Sequence, residues 1–134
     1  MPNSDKSIVI DTYAWIEYFK GSSEGLEAKK FIEGEAVLFT PSIVIAELSD
    51  KYRREGIKEW EIRNRFIKLK TKILLLDERI ADKAGELKQE LKKQYKDVGL
   101  ADAIVFAHSL DVSARILTGD KHLRELENSI RLGK

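Results

Sequence analysis

The sequence has no cysteine, two prolines and one methionine among 134 residues. Without cysteine there is no disulfide framework and no thiolate site for zinc or an iron–sulfur cluster. No apolar run approaches the ~18 residues of a membrane span. The polar opening Met1-Pro2-Asn3-Ser4-Asp5-Lys6 leads into only a short apolar run, too little for a secretory signal. The expected compartment is the cytoplasm. Asparagine and glutamine are also scarce beside abundant lysine and glutamate, a composition that leans towards thermophiles. A large excess of either sign of charge is missing too, with 24 basic side chains against 23 acidic ones.

What is present describes a folded chain: 43% hydrophobic and 35% charged residues are too apolar for disorder. The length suits one domain, residues 1–134, able to bury roughly two-thirds of its unfolded surface. The charge is unevenly distributed. Residues 1–50 hold 4 basic and 9 acidic side chains, whereas residues 51–72 hold 9 basic and 3 acidic. Such a basic block attracts phosphate backbones, or simply forms a solvated helix face.

Short β-branched or apolar runs at 7–10, 36–40, 73–76 and 115–119 read as buried strands, with a last one near 130–132. Between them, helices are expected over 12–20, 24–33, 42–54, 57–69, 78–95, 99–110 and 120–127. Pro41 and Ser42 suit a helix start, and Gly21, Gly34 and Gly56 suit stops. Strands alternating with helices, none with a period-2 pattern, predict an α/β fold. The expected architecture is a three-layer α/β/α domain around a mostly parallel sheet of four to five short strands.

In such sheets ligands bind beyond the carboxyl ends of the strands. Asp11 directly follows the first strand and Asp120 the fourth. Each also suits the plainer duty of helix N-cap. Glu47 is the only charge in Ile43-Val44-Ile45-Ala46-Glu47-Leu48, and Asp102 sits in an otherwise apolar helix. The plain alternatives are a face-edge residue reaching water for Glu47 and a first-turn acid facing the helix dipole for Asp102. If the four acids converge, they repel one another and their pKa values rise. A divalent cation removes that problem: Mg²⁺ and Mn²⁺ prefer carboxylate oxygen and water, and activate water against a phosphate ester.

Ile8-Val9-Ile10-Asp11-Thr12, Ile45-Ala46-Glu47-Leu48, Gly99-Leu100-Ala101-Asp102-Ala103 and Leu117-Thr118-Gly119-Asp120 follow one another in the order and spacing of PIN-domain ribonucleases. The chain most resembles the small VapC-type toxins of toxin–antitoxin pairs, over about residues 7–132. The resemblance implies a parallel sheet with helices on both faces and an acidic pocket for one or two Mg²⁺ or Mn²⁺ ions. It implies RNA cleavage, a homodimer and a small antitoxin partner. By the match, Asp11, Glu47, Asp102 and Asp120 are the metal-binding acids, with Thr12 and Thr118 as hydroxyls beside the pocket. Either Asp102 or Asp11 is expected to accept the proton of the attacking water.

Arg53, Arg54, Lys58, Arg63 and Arg65 are candidates for tracking RNA. The same helices equally suit a dimer or antitoxin surface, because Trp60 and Phe66 sit among the charges. Gly119 stands where relatives often carry Asn or another polar residue, and little consequence is expected.

Three rival readings are weaker. Gly21-Ser22-Ser23-Glu24-Gly25 matches a serine-hydrolase elbow, but it follows a helix rather than a strand, and Ser23 suits an N-cap. A receiver-like signalling domain leaves Glu47 and Asp102 unused. A non-catalytic PIN-like module that binds RNA or protein has no reason to keep all four acids. His108 and His122 lack metal-ligand spacing and read as hydrogen-bonded core or surface residues.

Overall fold

The computed structural model describes residues 6–133, so the polar opening through Asp5 lies outside the described residues. Five strands alternate with six helices: β1 (Ser7–Ile10), α1 (Thr12–Lys20), α2 (Ser23–Ile32), β2 (Val37–Pro41), α3 (Ser42–Arg54), α4 (Trp60–Lys70), β3 (Lys72–Leu74), α5 (Glu78–Lys92), α6 (Leu100–Asp111), β4 (Arg115–Thr118) and β5 (Ser129–Arg131). The strands form one sheet in the order β3-β2-β1-β4-β5. All four pairings are parallel, with Val9 opposite both Phe39 and Ile116. The three-layer expectation fits the central strand, where Ile8, Val9 and Ile10 are all fully buried. Burial of consecutive residues means that both faces of β1 are covered.

Most expected elements form, with shifted ends. The third strand ends at Leu74, and Leu75 and Leu76 emerge into solvent. α4 starts at Trp60 rather than Ile57, and α5 stops at Lys92. The helix expected over 120–127 does not form. Asp120 instead opens a chain of turns, its carbonyl accepting from the Leu123 and Arg124 amides before the Leu126 amide reaches Leu123. The cap of α2 is Ser22, whose Oγ accepts from the Gly25 amide at 3.0 Å, and Ser23 is the first helical residue. The hydrolase-like serine therefore sits in a helix–helix connection.

Trp60 and Phe66 face inward, Trp60 at 3% exposure and Phe66 against Trp15, Tyr18 and Phe19. They anchor α4 to the core, Phe66 being only partly buried. The exposed apolar residues of α4 are Ile62 and Leu69. The Trp15 indole donates to the Thr40 hydroxyl, which pairs with Thr71 at 2.8 Å, and the Thr71 hydroxyl donates to the Ile67 carbonyl. This relay satisfies the buried polar groups of Trp15, Thr40 and Thr71. No helix among the described residues is long and apolar enough to cross a membrane.

Candidate acidic site

β1 is followed in sequence by β2 on one side of it and flanked by β4 on the other, so the strand order reverses between β1 and β4. Crevices form at such switch points, beyond the strands' carboxyl ends. Asp11 leaves β1 there and Asp120 follows β4 one residue after Gly119. α3 begins at the same rim, directly after β2, and carries Glu47. α6 precedes β4, so its first turn lies at this rim and brings Asp102. The four acids line one open pocket of about 370 Å³ with Thr12, Tyr13, Asp50, Lys51 and Arg54 among its other walls.

Asp11 forms the floor, at 3% exposure. Its Oδ1 accepts from the Ala14 amide at 2.8 Å, so it is also the N-cap of α1. The N-cap reading of this residue holds, and the same carboxylate lines the pocket. Burial pushes its pKa up to about 7, partly opposed by the Thr118 hydroxyl and the Ala14 amide, and aided by the charges of Asp120 and Asp102. Asp102 is half-buried and its pKa is raised to about 6, first by burial and then by Asp120. Its carboxylate accepts from the Gly99 amide at 3.4 Å, the dipole-end role expected of a first-turn acid.

Asp120 accepts from the His122 amide at 2.8 Å through Oδ1. Glu47 is exposed at the mouth, where its Oε1 accepts a 2.5 Å hydrogen bond from the Thr12 hydroxyl. Thr12 thus lines the pocket, as expected. Thr118 also lies beside the pocket but is fully buried, where it donates to Asp11 and accepts from the Asp120 amide at 2.9 Å. It braces two acids from below.

Among the described residues, no three carboxylate or imidazole groups stand close enough to make a ready-formed cation cage. Burial is the main reason that Asp11 and Asp102 are raised, and the charge of Asp120 adds to it at both. The lining has oxygen donors and no histidine. That donor set fits a hard cation such as Mg²⁺, which keeps several waters and takes only one or two carboxylates directly.

The basic candidates divide. Arg54 lines the pocket. Arg53, Lys58 and Arg65 are exposed away from its lining, with Arg53 Nε donating to Ser49 Oγ. Arg63 is partly buried, its guanidinium 5.2 Å from the Phe19 ring centre and 4.9 Å from that of Tyr52. Sequence reasoning missed Lys51 and Asp50. Both were readable from helical spacing, three and four residues after Glu47 on the same face.

Gly119 has a consequence that was not expected. A Cβ there would lie 2.3 Å from Cε1 of Tyr13, so glycine lets that ring pack against the chain entering Asp120. The Tyr13 hydroxyl donates to Glu24 at 2.6 Å, which pins the ring. His108 is buried as expected, but its Nε2 has no hydrogen-bond partner among the described residues. His122 Nε2 lies 3.6 Å from Asp97, outside the pocket lining.

A parallel sheet with an acidic pocket at its switch point defines an α/β domain with its ligand-binding crevice at that rim. Residues 8–128 match the PIN domain, and the chain belongs to that family. None of the curated proteins matches it by sequence. Solved structures share the fold. A chain of a toxin–antitoxin complex from Klebsiella pneumoniae is 21% identical, with a TM-score of 0.73 over 92% of this chain and 95% of that one. VapBC2 from Rickettsia felis, bound to a promoter DNA fragment, gives 20% and 0.67 over 93% and 96%. VapC20 from Mycobacterium tuberculosis, a sarcin–ricin loop cleaving toxin, gives 18% and 0.64 over 81% and 85%.

Proposed function

We propose that the chain is an Mg²⁺- or Mn²⁺-dependent endoribonuclease, the toxin of a VapBC-type pair, with Asp11, Glu47, Asp102 and Asp120 as its cation-binding acids. The observation that carries this reading is four carboxylates from four separate segments lining one pocket. The toxin–antitoxin complexes among the solved structures support an antitoxin partner, and the sarcin–ricin loop cleaving toxin supports an RNA substrate. A second copy of the chain and a place in the cytoplasm complete the proposal. Residues 1–134 are read as one PIN unit.

When bound, the cation lowers the pKa of a water and offsets charge on the phosphate oxygens. The chain's own residues do the rest. Asp11 is held rigid by Ala14 and Thr118, and Asp120 by the His122 amide. Thr12 orients Glu47 at the mouth. Either Asp11 or Asp102 takes the proton of the attacking water.

The test is cleavage of a mixed single-stranded RNA with Mn²⁺, Mg²⁺ or EDTA, comparing the wild type with Asp102→Asn. The expected result is metal-dependent cutting by the wild type alone. Equal cutting by both proteins removes Asp102 from the site. RNA binding without cutting by either would transfer the reading to a non-catalytic RNA- or protein-binding module.

A further inference from the structure

The pocket is not acidic throughout. Glu47, Asp50, Lys51 and Arg54 of α3 all line it. Their spacing of three, four and seven residues places them on one helix face. At 1.5 Å per residue the stripe is about 10 Å long. It starts at the acids and ends at a guanidinium. One pocket therefore joins a carboxylate cluster to a cationic wall.

A nucleic acid strand has the matching requirement. The phosphate at the acids needs a cation brought in with it, while its neighbour needs positive charge that is already there. We propose that Lys51 and Arg54 hold the phosphate adjacent to the one that is cleaved, which makes them positioning residues for a strand with a charged neighbouring linkage. This inference rests on the endoribonuclease reading.

Among the described residues, both cations pair with surface carboxylates of α3 or its C-cap. Lys51 Nζ lies 2.6 Å from Glu55 and Arg54 Nε 3.2 Å from Asp50. Exposed pairs of this kind contribute little, so a phosphate displaces them at small cost. A guanidinium also takes phosphate through two parallel hydrogen bonds, which a lone carboxylate contact at Nε leaves available. Arg63 has no such freedom, being held between Phe19 and Tyr52.

The cleaved linkage is first mapped on a single-stranded RNA. Oligonucleotides are then made with an uncharged methylphosphonate on one side of it or the other. Lys51→Ala/Arg54→Ala is expected to raise KM about tenfold or more, the loss of one or two charged hydrogen bonds, with kcat nearly unchanged. The salt dependence of KM should flatten by about one power of salt concentration. A methylphosphonate on one side should raise the wild-type KM similarly and leave the double variant indifferent. Asp50→Asn, which releases Arg54, should lower KM.

A wild-type KM indifferent to both methylphosphonates would overturn the inference, as would a double variant that loses kcat at constant KM. The endoribonuclease reading fails separately, if Asp102→Asn cuts as well as the wild type. Should the wild type not cut at all, anisotropy of a labelled RNA with Mg²⁺ makes the same comparison. Equal affinities of wild type and double variant would then reject the role of Lys51 and Arg54.

Discussion

The Thr12 hydroxyl donates to Glu47 across 35 residues of sequence, at 2.5 Å. The first residue of α1 is thereby tied to the middle of α3 at the pocket mouth. One bond fixes the spacing between the segment that carries Asp11 and the helix that carries Glu47, Lys51 and Arg54. The acids are thus held in place by neighbours rather than by one another.

Removing one of the acids should reduce activity and raise stability together. Asp11→Asn takes away the most desolvated carboxylate and the repulsion it shares with Asp120 and Asp102. RNA cleavage should fall at least a hundredfold, while the melting temperature without metal rises by several degrees at pH 8. Differential scanning calorimetry with and without EDTA checks this. Mg²⁺ should raise the wild-type midpoint markedly and that of the variant little.

The pH dependence follows from the same groups. Asp11 is raised from 3.8 to about 7 and Asp102 to about 6, so the folded state binds more protons than the unfolded one between about pH 4 and pH 7. Stability without metal should therefore fall as pH rises through that window, by roughly 4 kcal/mol from Asp11 alone. Denaturant melts at pH 5 and pH 8 measure it. Saturating Mg²⁺ should flatten the profile, because the cation competes with the protons. A profile that rises from pH 5 to pH 8 in EDTA would contradict the electrostatics of the pocket.

Gly119→Ala should be costly although the residue touches no substrate. The added methyl group meets the Tyr13 ring, which its bond to Glu24 keeps from moving aside. A loss of about 1–3 kcal/mol is expected, as for overpacking elsewhere. The cost should shrink when Tyr13→Ala is combined with it, a non-additivity that a double-mutant cycle reads.

Arg63→Ala should lower stability by about 1 kcal/mol through its contacts with Phe19 and Tyr52. The KM for RNA should stay the same. Urea melts beside RNA cleavage separate the two effects. A rise in KM with unchanged stability would return Arg63 to the RNA path.

The alternation of elements was legible in the sequence because each strand is a short run buried on both faces, as at Ile8-Val9-Ile10. The positions of Asp11 and Asp120 were legible for the same reason: an acid after a buried strand must lie at the sheet's rim. Where periodicity ran into turn chemistry the reading failed. Residues 121–127 have helical spacing, yet the chain must turn back within eight residues to lay Ser129 beside Ile116, and a regular helix does not fit.

The sequence by itself determined the strand–helix alternation, the central acids and the absence of cysteine chemistry, because these depend on local residue type and spacing. Only the tertiary structure decided which charges share a space. Arg54 and Arg63 look alike in the basic block, but one faces the pocket and the other lies between two rings. Thr12 and Thr118 look alike beside their acids, but one lines the mouth and the other is buried beneath the floor. Those differences arise from packing between segments distant in sequence, and local spacing contains no record of it.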